Sequence, residues 1–235
     1  MPDSAAQARL EAALPAALAR VTSTPGVYAV LWCGSAARGE ADAHSDLDFH
    51  ALVRGDHRWR GSFVVDGVPT EVFHNPPRKI RAMFAQGEAA TVAMFAGGRV
   101  LVPHPDLGAL IAEARALYAA GPAPRVPTPA ERHTLVDEVV EARAAVAEPM
   151  HAYLVANAAG RLVRALYGAR GWWEVGPRHW LRDLTARDAE ATRHLHAVLN
   201  ASRPDGRQAA LEALALCVLD SLEYGESSTA PQAVP

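Results

Sequence analysis

Apolar positions change period several times along the chain, and each change marks an element. Between residues 3 and 20, Leu10, Leu14, Ala17 and Leu18 recur at helical spacing. This predicts an amphipathic helix that Pro15, having no N–H to donate, bends or divides. "TPG" ends it. "VYAVLWCG", 27 to 34, is a nearly unbroken apolar run bounded by Gly26 and Gly34, the pattern of a strand buried on both faces. In "DLDFHALV", 46 to 53, the period drops to two: Leu47, Phe49, Ala51 and Val53 share one face, and Asp46, Asp48 and His50 the other. "SFVV" and "PTEVFH" follow as a hairpin about Asp66-Gly67, a strong two-residue turn signal. Two or three helices fill 77 to 120.

"AAGPAPRVPTP", 119 to 129, holds four prolines and one glycine and reads as a linker. It divides a first domain, 1–122, from a second, 123–235. From Ala130 to about Tyr224 helical period dominates, interrupted at "GARGWWEVGP" and "SRPDG", which predicts a small helical bundle. The final "GESSTAPQAV" and its closing proline are expected to fray.

Composition narrows the function classes. With 235 residues, half of them apolar, the chain can bury a core and split into two lobes. Cys33 and Cys217 are far apart, with no CxxC or Cys/His cluster, which argues against a disulfide framework or structural zinc and fits a reducing cytoplasm. No basic start followed by an apolar block is present, so neither a signal peptide nor a membrane span is expected. The net charge is -3 and no Lys/Arg stripe occurs, Lys79 being the only lysine, so a nucleic-acid partner is not expected.

The first strand runs directly into "CGSAARGEADAHSDLDFH", residues 33 to 50. A Gly-Ser turn there lets backbone N–H groups approach an anion closely, making a phosphate seat. Asp46 and Asp48, at i and i+2 on a strand, place two carboxylates on one face about 7 Å apart. Such carboxylates repel unless a cation lies between them, and Mg²⁺ favours one or two carboxylates plus phosphate oxygens. "VPTEVFH" adds Glu71, a third carboxylate that either helps complete a two-metal site or accepts the proton of an attacking hydroxyl.

"GSAARGEADAHSDLDF" resembles the signature of the polymerase-beta-type nucleotidyltransferase superfamily, and within it the small-molecule (aminoglycoside- and lincosamide-like) and minimal nucleotidyltransferases. Gly34, Ser35, Ala37, Arg38, Gly39, Ser45, Asp46 and Asp48 match Gly-Ser-x-Ala-Arg-Gly followed by Ser-Asp-x-Asp. The likeness covers roughly residues 25 to 105, including the helical stretch ending in "GGRVLVPHPD". It implies an α+β architecture: a nucleotidyltransferase domain with a mixed sheet flanked by helices, then a helical, acceptor-binding domain. It further implies that Gly34 and Ser35 hold the triphosphate, with Arg38 and Ser45 in the same nucleotide-binding motif. Asp46 and Asp48 bind magnesium, and Glu71 takes the third-carboxylate position, with two magnesium ions in the active complex. ATP or another nucleoside triphosphate is then the substrate. A nucleoside monophosphate, AMP foremost, passes to a hydroxyl of a small acceptor and pyrophosphate is released.

Several alternatives stay open beside that expectation. Arg38 either caps or ion-pairs within its loop, or else contacts phosphate or positions the aspartates. His50 reads as a hydrogen-bond partner rather than a ligand, and Trp172, Trp173 and Trp180 as core rather than a stacking platform. Glu138 and Glu141 compete with Glu71 for the role of base. The chain could instead be a regulatory or antitoxin-like module that binds or modifies a protein partner, although Glu71 and the large helical region favour the enzyme. The acceptor is not legible, because residues 125 to 224 carry 12 arginines against 13 acidic residues and so favour neither sign of charge. Nucleotide preference and oligomeric state are equally open.

Overall fold

The computed structural model describes residues 3–226 and 228. They divide between Ala120 and Gly121 into two compact units. The first contains α1 (Ser4–Thr22), β1 (Val27–Cys33), α2 (Gly34–Ala37), β2 (Leu47–Val53), β3 (Trp59–Val65), β4 (Val68–Asn75), α3 (Pro77–Ala85), α4 (Ala89–Gly97), β5 (Arg99–Val102) and α5 (Pro105–Ala120). Its sheet has the order β3-β4-β2-β1-β5. Only β2 and β4 run parallel, so the sheet is mixed and the fold α+β.

Helix α1 starts where the Asp3 carboxylate accepts the N–H groups of Ala5 and Ala6. Of the two outcomes expected at Pro15, a bend or a division, division does not occur: the helix is continuous through it. One face, Leu10, Ala13, Ala17 and Val21, is buried in a cluster with Val30, Trp32, Phe49 and Val72 of the sheet. That burial offsets the one backbone bond the proline removes. The hairpin forms as expected: Val65 pairs with Val68, and Asp66 (φ 49°) and Gly67 (φ 73°) both take the left-handed conformation a tight two-residue turn requires.

Two sequence expectations are corrected. Strand β2 starts at Leu47, with Asp46 just before it rather than within it, and His50, expected as a hydrogen-bond partner, has an unpartnered Nδ1 and is packed by Phe73 and Phe95 with ring centroids at 5.0 and 4.8 Å. The stretch from 77 to 120 holds three helices and also strand β5, which pairs antiparallel with β1 at Leu31–Val100 and Trp32–Arg99. Four residues are too few to display a period, so only the pairing reveals this strand.

The second unit is helical: α6 (Pro129–Ala144), α7 (His151–Arg170), a 3-10 turn at Pro177–His179, α8 (Trp180–Arg187), α9 (Ala189–Asn200) and α10 (Pro204–Leu216). Val136, Val139, Leu162, Leu166, Leu184, Leu211 and Leu214 form its core. Gly171, at φ 65°, ends α7 in the left-handed conformation that favours glycine. Trp172 and Trp180 pack against this core, and Trp180 Nε1 donates to the Val175 carbonyl at 3.0 Å, in keeping with a structural role. No helix among the described residues is long and apolar enough to cross a membrane. Residues 227 and 229–235, most of the tail expected to fray, lie outside the described residues.

Helix α6 opens with a capping box: Thr128 Oγ1 accepts the Glu131 N–H, and the Glu131 carboxylate accepts the Thr128 N–H. Thr128→Ala should lower stability by about 1 kcal/mol in denaturant melts. Arg125 and then Thr128 hold the Glu131 carboxyl down to about 2 from its ordinary 4.5. A depressed carboxyl stabilises the fold above its unfolded pKa and loses that effect as pH falls through its folded one. The gap between wild type and variant should therefore narrow as pH drops from about 4.5 towards 2, by a small amount because the group is exposed.

Candidate active site

Two strand registers bring distant residues to one end of the sheet. The parallel pairing of β2 with β4 sets Asp48 opposite Glu71, and the antiparallel pairing of β1 with β2 sets Cys33 opposite Asp48. Asp48 thus lies between the end of β1 and Glu71, with Asp46 two residues earlier on its own chain. Beyond Cys33 the chain turns at Gly34, whose φ is +79°. A Cβ on Gly34 would overlap Asp48 Oδ2 and come within 3.1 Å of its Cγ. The motif glycine is therefore required twice, by its backbone conformation and by the carboxylate packed against it.

The loop between α2 and β2 is ordered by its own polar groups. Ser45 is 5% exposed. Its Oγ accepts the Asp42 N–H at 2.9 Å and lies 3.1 Å from Asp42 Oδ1 and 3.2 Å from Ser35 Oγ. The His44 N–H donates to Asp42 Oδ1 at 2.9 Å. The Ser45 hydroxyl is thus engaged in tying the approach to Asp46 onto α2, while Ser35 is partly exposed beside it. Arg38 is exposed and donates from Nε to Glu40 Oε2 at 3.0 Å, the loop ion pair that was one of its two expected roles. Its charge also reaches Asp48 and lowers that carboxyl's pKa.

Burial, then the carboxylates of Asp46 and Glu71, push the Asp48 carboxyl up to about 7, with Arg60 and Arg38 opposing. Glu71 itself is ion-paired: both Nε and Nη2 of Arg60, on β3, contact its Oε1. The guanidinium of Arg60 also lies over the Phe73 ring, 5.1 Å from its centroid. Among the described residues, no group of three or more His, Cys, Asp or Glu side chains is arranged as a ready-made metal site. The three carboxylates are gathered, but with Glu71 held by Arg60.

His50 follows Asp48 by two residues on β2. Burial drives its imidazole down to about 3, its Nδ1 has no partner, and two phenylalanine rings enclose it, so it packs as an apolar side chain. Cys33 Sγ donates to the Asp48 carbonyl at 3.4 Å, and burial, then the Asp48 charge, push its thiol pKa up. Glu138 and Glu141, the alternative bases, lie on α6 of the second unit. Glu138 is largely buried and paired with Arg161, its Oε2 has no partner, and burial raises its pKa. Glu141 is exposed.

Sequence reasoning missed Cys33 and Arg60. A signal for Arg60 was present: the Asp66-Gly67 turn fixes Val65 opposite Val68, and counting back puts Arg60 opposite Phe73 and diagonal to Glu71.

The donor set suits magnesium. All the candidate donors are carboxylate oxygens, and after burial it is the charges of Asp46 and Glu71 that raise the Asp48 carboxyl, a repulsion that a divalent cation would relieve.

The chain matches no family model and no curated protein. Among solved structures it is similar to a nucleotidyltransferase-like protein from Exiguobacterium sibiricum, at 12% identity and a TM-score of 0.48, with 88% of this chain and 74% of that chain covered. At that level the likeness carries no chemistry, and the site rests on its own residues.

Proposed function

We propose that the protein transfers a nucleoside monophosphate, AMP foremost, from a nucleoside triphosphate to a hydroxyl of a small acceptor and releases pyrophosphate. One observation carries this reading: Asp48, opposite Glu71 in the β2–β4 register and within charge range of Asp46, packs its carboxylate against the turn at Gly34, whose backbone N–H groups would meet an anion. Asp46 and Asp48 would hold magnesium, whose charge would offset that of the phosphates. Arg38 and Ser35 flank the turn on its exposed side and would orient the triphosphate. Glu71, once released from Arg60, would accept the proton of the acceptor hydroxyl as its oxygen bonds to the α-phosphorus and the bond to pyrophosphate breaks. The helical unit would supply the acceptor's binding surface.

Titration calorimetry of ATP with and without magnesium tests the first half of this proposal. Affinity should rise at least about tenfold with the metal, because phosphate oxygens complete a coordination sphere that two carboxylates only begin. Equal affinity in both conditions would count against it. The second half is tested by pyrophosphate release across a panel of hydroxylated small molecules. Tight triphosphate binding with no turnover on any acceptor would turn the reading towards a regulatory module.

A further inference from the structure

Arg60 lies outside the signature motif, yet it is the cation that binds the third carboxylate. Its side chain is 64% exposed, against 21% for Glu71. The Phe73 ring supports the guanidinium from below and leaves N–H edges free to turn outward. While Glu71 Oε1 is held by two guanidinium nitrogens, that oxygen is not free to meet an acceptor hydroxyl or a cation. Such an exposed pair is weak and easily exchanged, because water and salt already screen it. A guanidinium fork binds phosphate oxygens at least as readily as a carboxylate, and a triphosphate carries more charge than Glu71.

On the nucleotidyl-transfer reading above, we propose that Arg60 is a substrate-responsive latch: it restrains Glu71 while the site is empty and transfers its hydrogen bonds to the phosphates of an arriving triphosphate, releasing Glu71. The exchange makes and breaks only hydrogen bonds. It sets an order of events, since Glu71 becomes available as a proton acceptor only after the nucleotide has bound. The same order keeps a third free carboxylate out of the Asp46–Asp48 site until the phosphates bring their own charge. A divalent cation alone should then bind weakly.

Arg60→Gln and Arg60→Lys in the full chain test this through binding rather than turnover. Binding of Mn²⁺ alone, read from the electron paramagnetic resonance of the free ion, should tighten about fivefold or more in Arg60→Gln, because a positive charge leaves a cluster of three carboxylates. In the same variant, magnesium–ATP binding by calorimetry should weaken about tenfold or more through loss of the phosphate fork. Arg60→Lys, which keeps the charge without the fork, should hold Mn²⁺ affinity near wild type and lose part of the ATP affinity. These opposite shifts are what a merely structural arginine would not produce. If Mn²⁺ tightens and ATP affinity stays, Arg60 is only a partner of Glu71 and the exchange is wrong. If ATP weakens and Mn²⁺ affinity stays, Arg60 is a plain phosphate ligand and the restraint is wrong. No change in either, in a protein whose wild type binds magnesium–ATP, overturns the latch and leaves nucleotidyl transfer standing. Failure of the wild type to bind magnesium–ATP overturns both.

Discussion

Asp46→Asn and Asp48→Asn should each lower nucleotidyl transfer by about two orders of magnitude or more, a loss consistent with removing metal-mediated stabilisation of phosphate charge. Neither variant should unfold. Both replacements are nearly isosteric, and at Asp48 the fold already disfavours the charge: burial and the two neighbouring carboxylates raise its pKa to about 7 from 3.8. Between those values the folded chain binds more protons than the unfolded one. Stability in the absence of divalent cations must therefore fall as pH rises from about 4 to 7 and stay reduced above that. Asn carries no such charge. Denaturant melts without metal should show Asp48→Asn gaining on wild type as pH rises, with the largest advantage near pH 8 and little near pH 4. A variant that is stable and inactive separates chemistry from folding. Near-wild-type turnover in either variant would remove these aspartates from the candidate site.

How much of this was legible in the sequence depended on whether a feature was local. The approach of Gly34 to Asp48 joins residues fourteen apart across one strand pair, and the motif displays both ends of it. Strands β1, β2 and the hairpin were readable because each has its own period and its own glycine-bounded turn. The parallel pairing of β2 with β4 has no such local mark, since it depends on β3 taking the outer position. Glu71 could thus be nominated from its residue type and from resemblance, whereas its register opposite Asp48 had to come from the fold. The burial of His50 was hidden for a related reason: Phe73 and Phe95, which enclose it, come from a parallel neighbour strand and from α4. Pro15 shows how packing narrows a local rule: of bending and dividing, the two outcomes it allowed, the buried face along α1 excludes division.

The Gly34 turn offers the sharpest test of how the site is built. Gly34→Ala should destabilise the protein by about 2–4 kcal/mol, combining the cost of a Cβ at positive φ with the overpacking of Asp48. It should also abolish transfer, because the simplest relief of the overlap is rotation of the Asp48 carboxylate away from Asp46. The two costs can be separated by a cycle. Asp48→Ala removes Oδ2 and Cγ, the closest atoms to a Cβ on Gly34, but keeps its own Cβ at 3.2 Å and leaves φ at +79° unchanged. In the Asp48→Ala background, Gly34→Ala should therefore cost mainly the backbone part, about 1–2 kcal/mol, with a small remainder from the Cβ–Cβ contact. A coupling of that size, measured by urea melts of the four proteins, is expected if glycine is needed for close approach as well as for conformation. If Gly34→Ala costs the same with and without the Asp48 side chain, the contact contributes nothing and only the turn demands glycine. If Gly34→Ala folds normally and keeps its turnover, the site proposed around this turn is wrong, because neither the turn nor the placement of the Asp48 carboxylate against it would then matter to transfer.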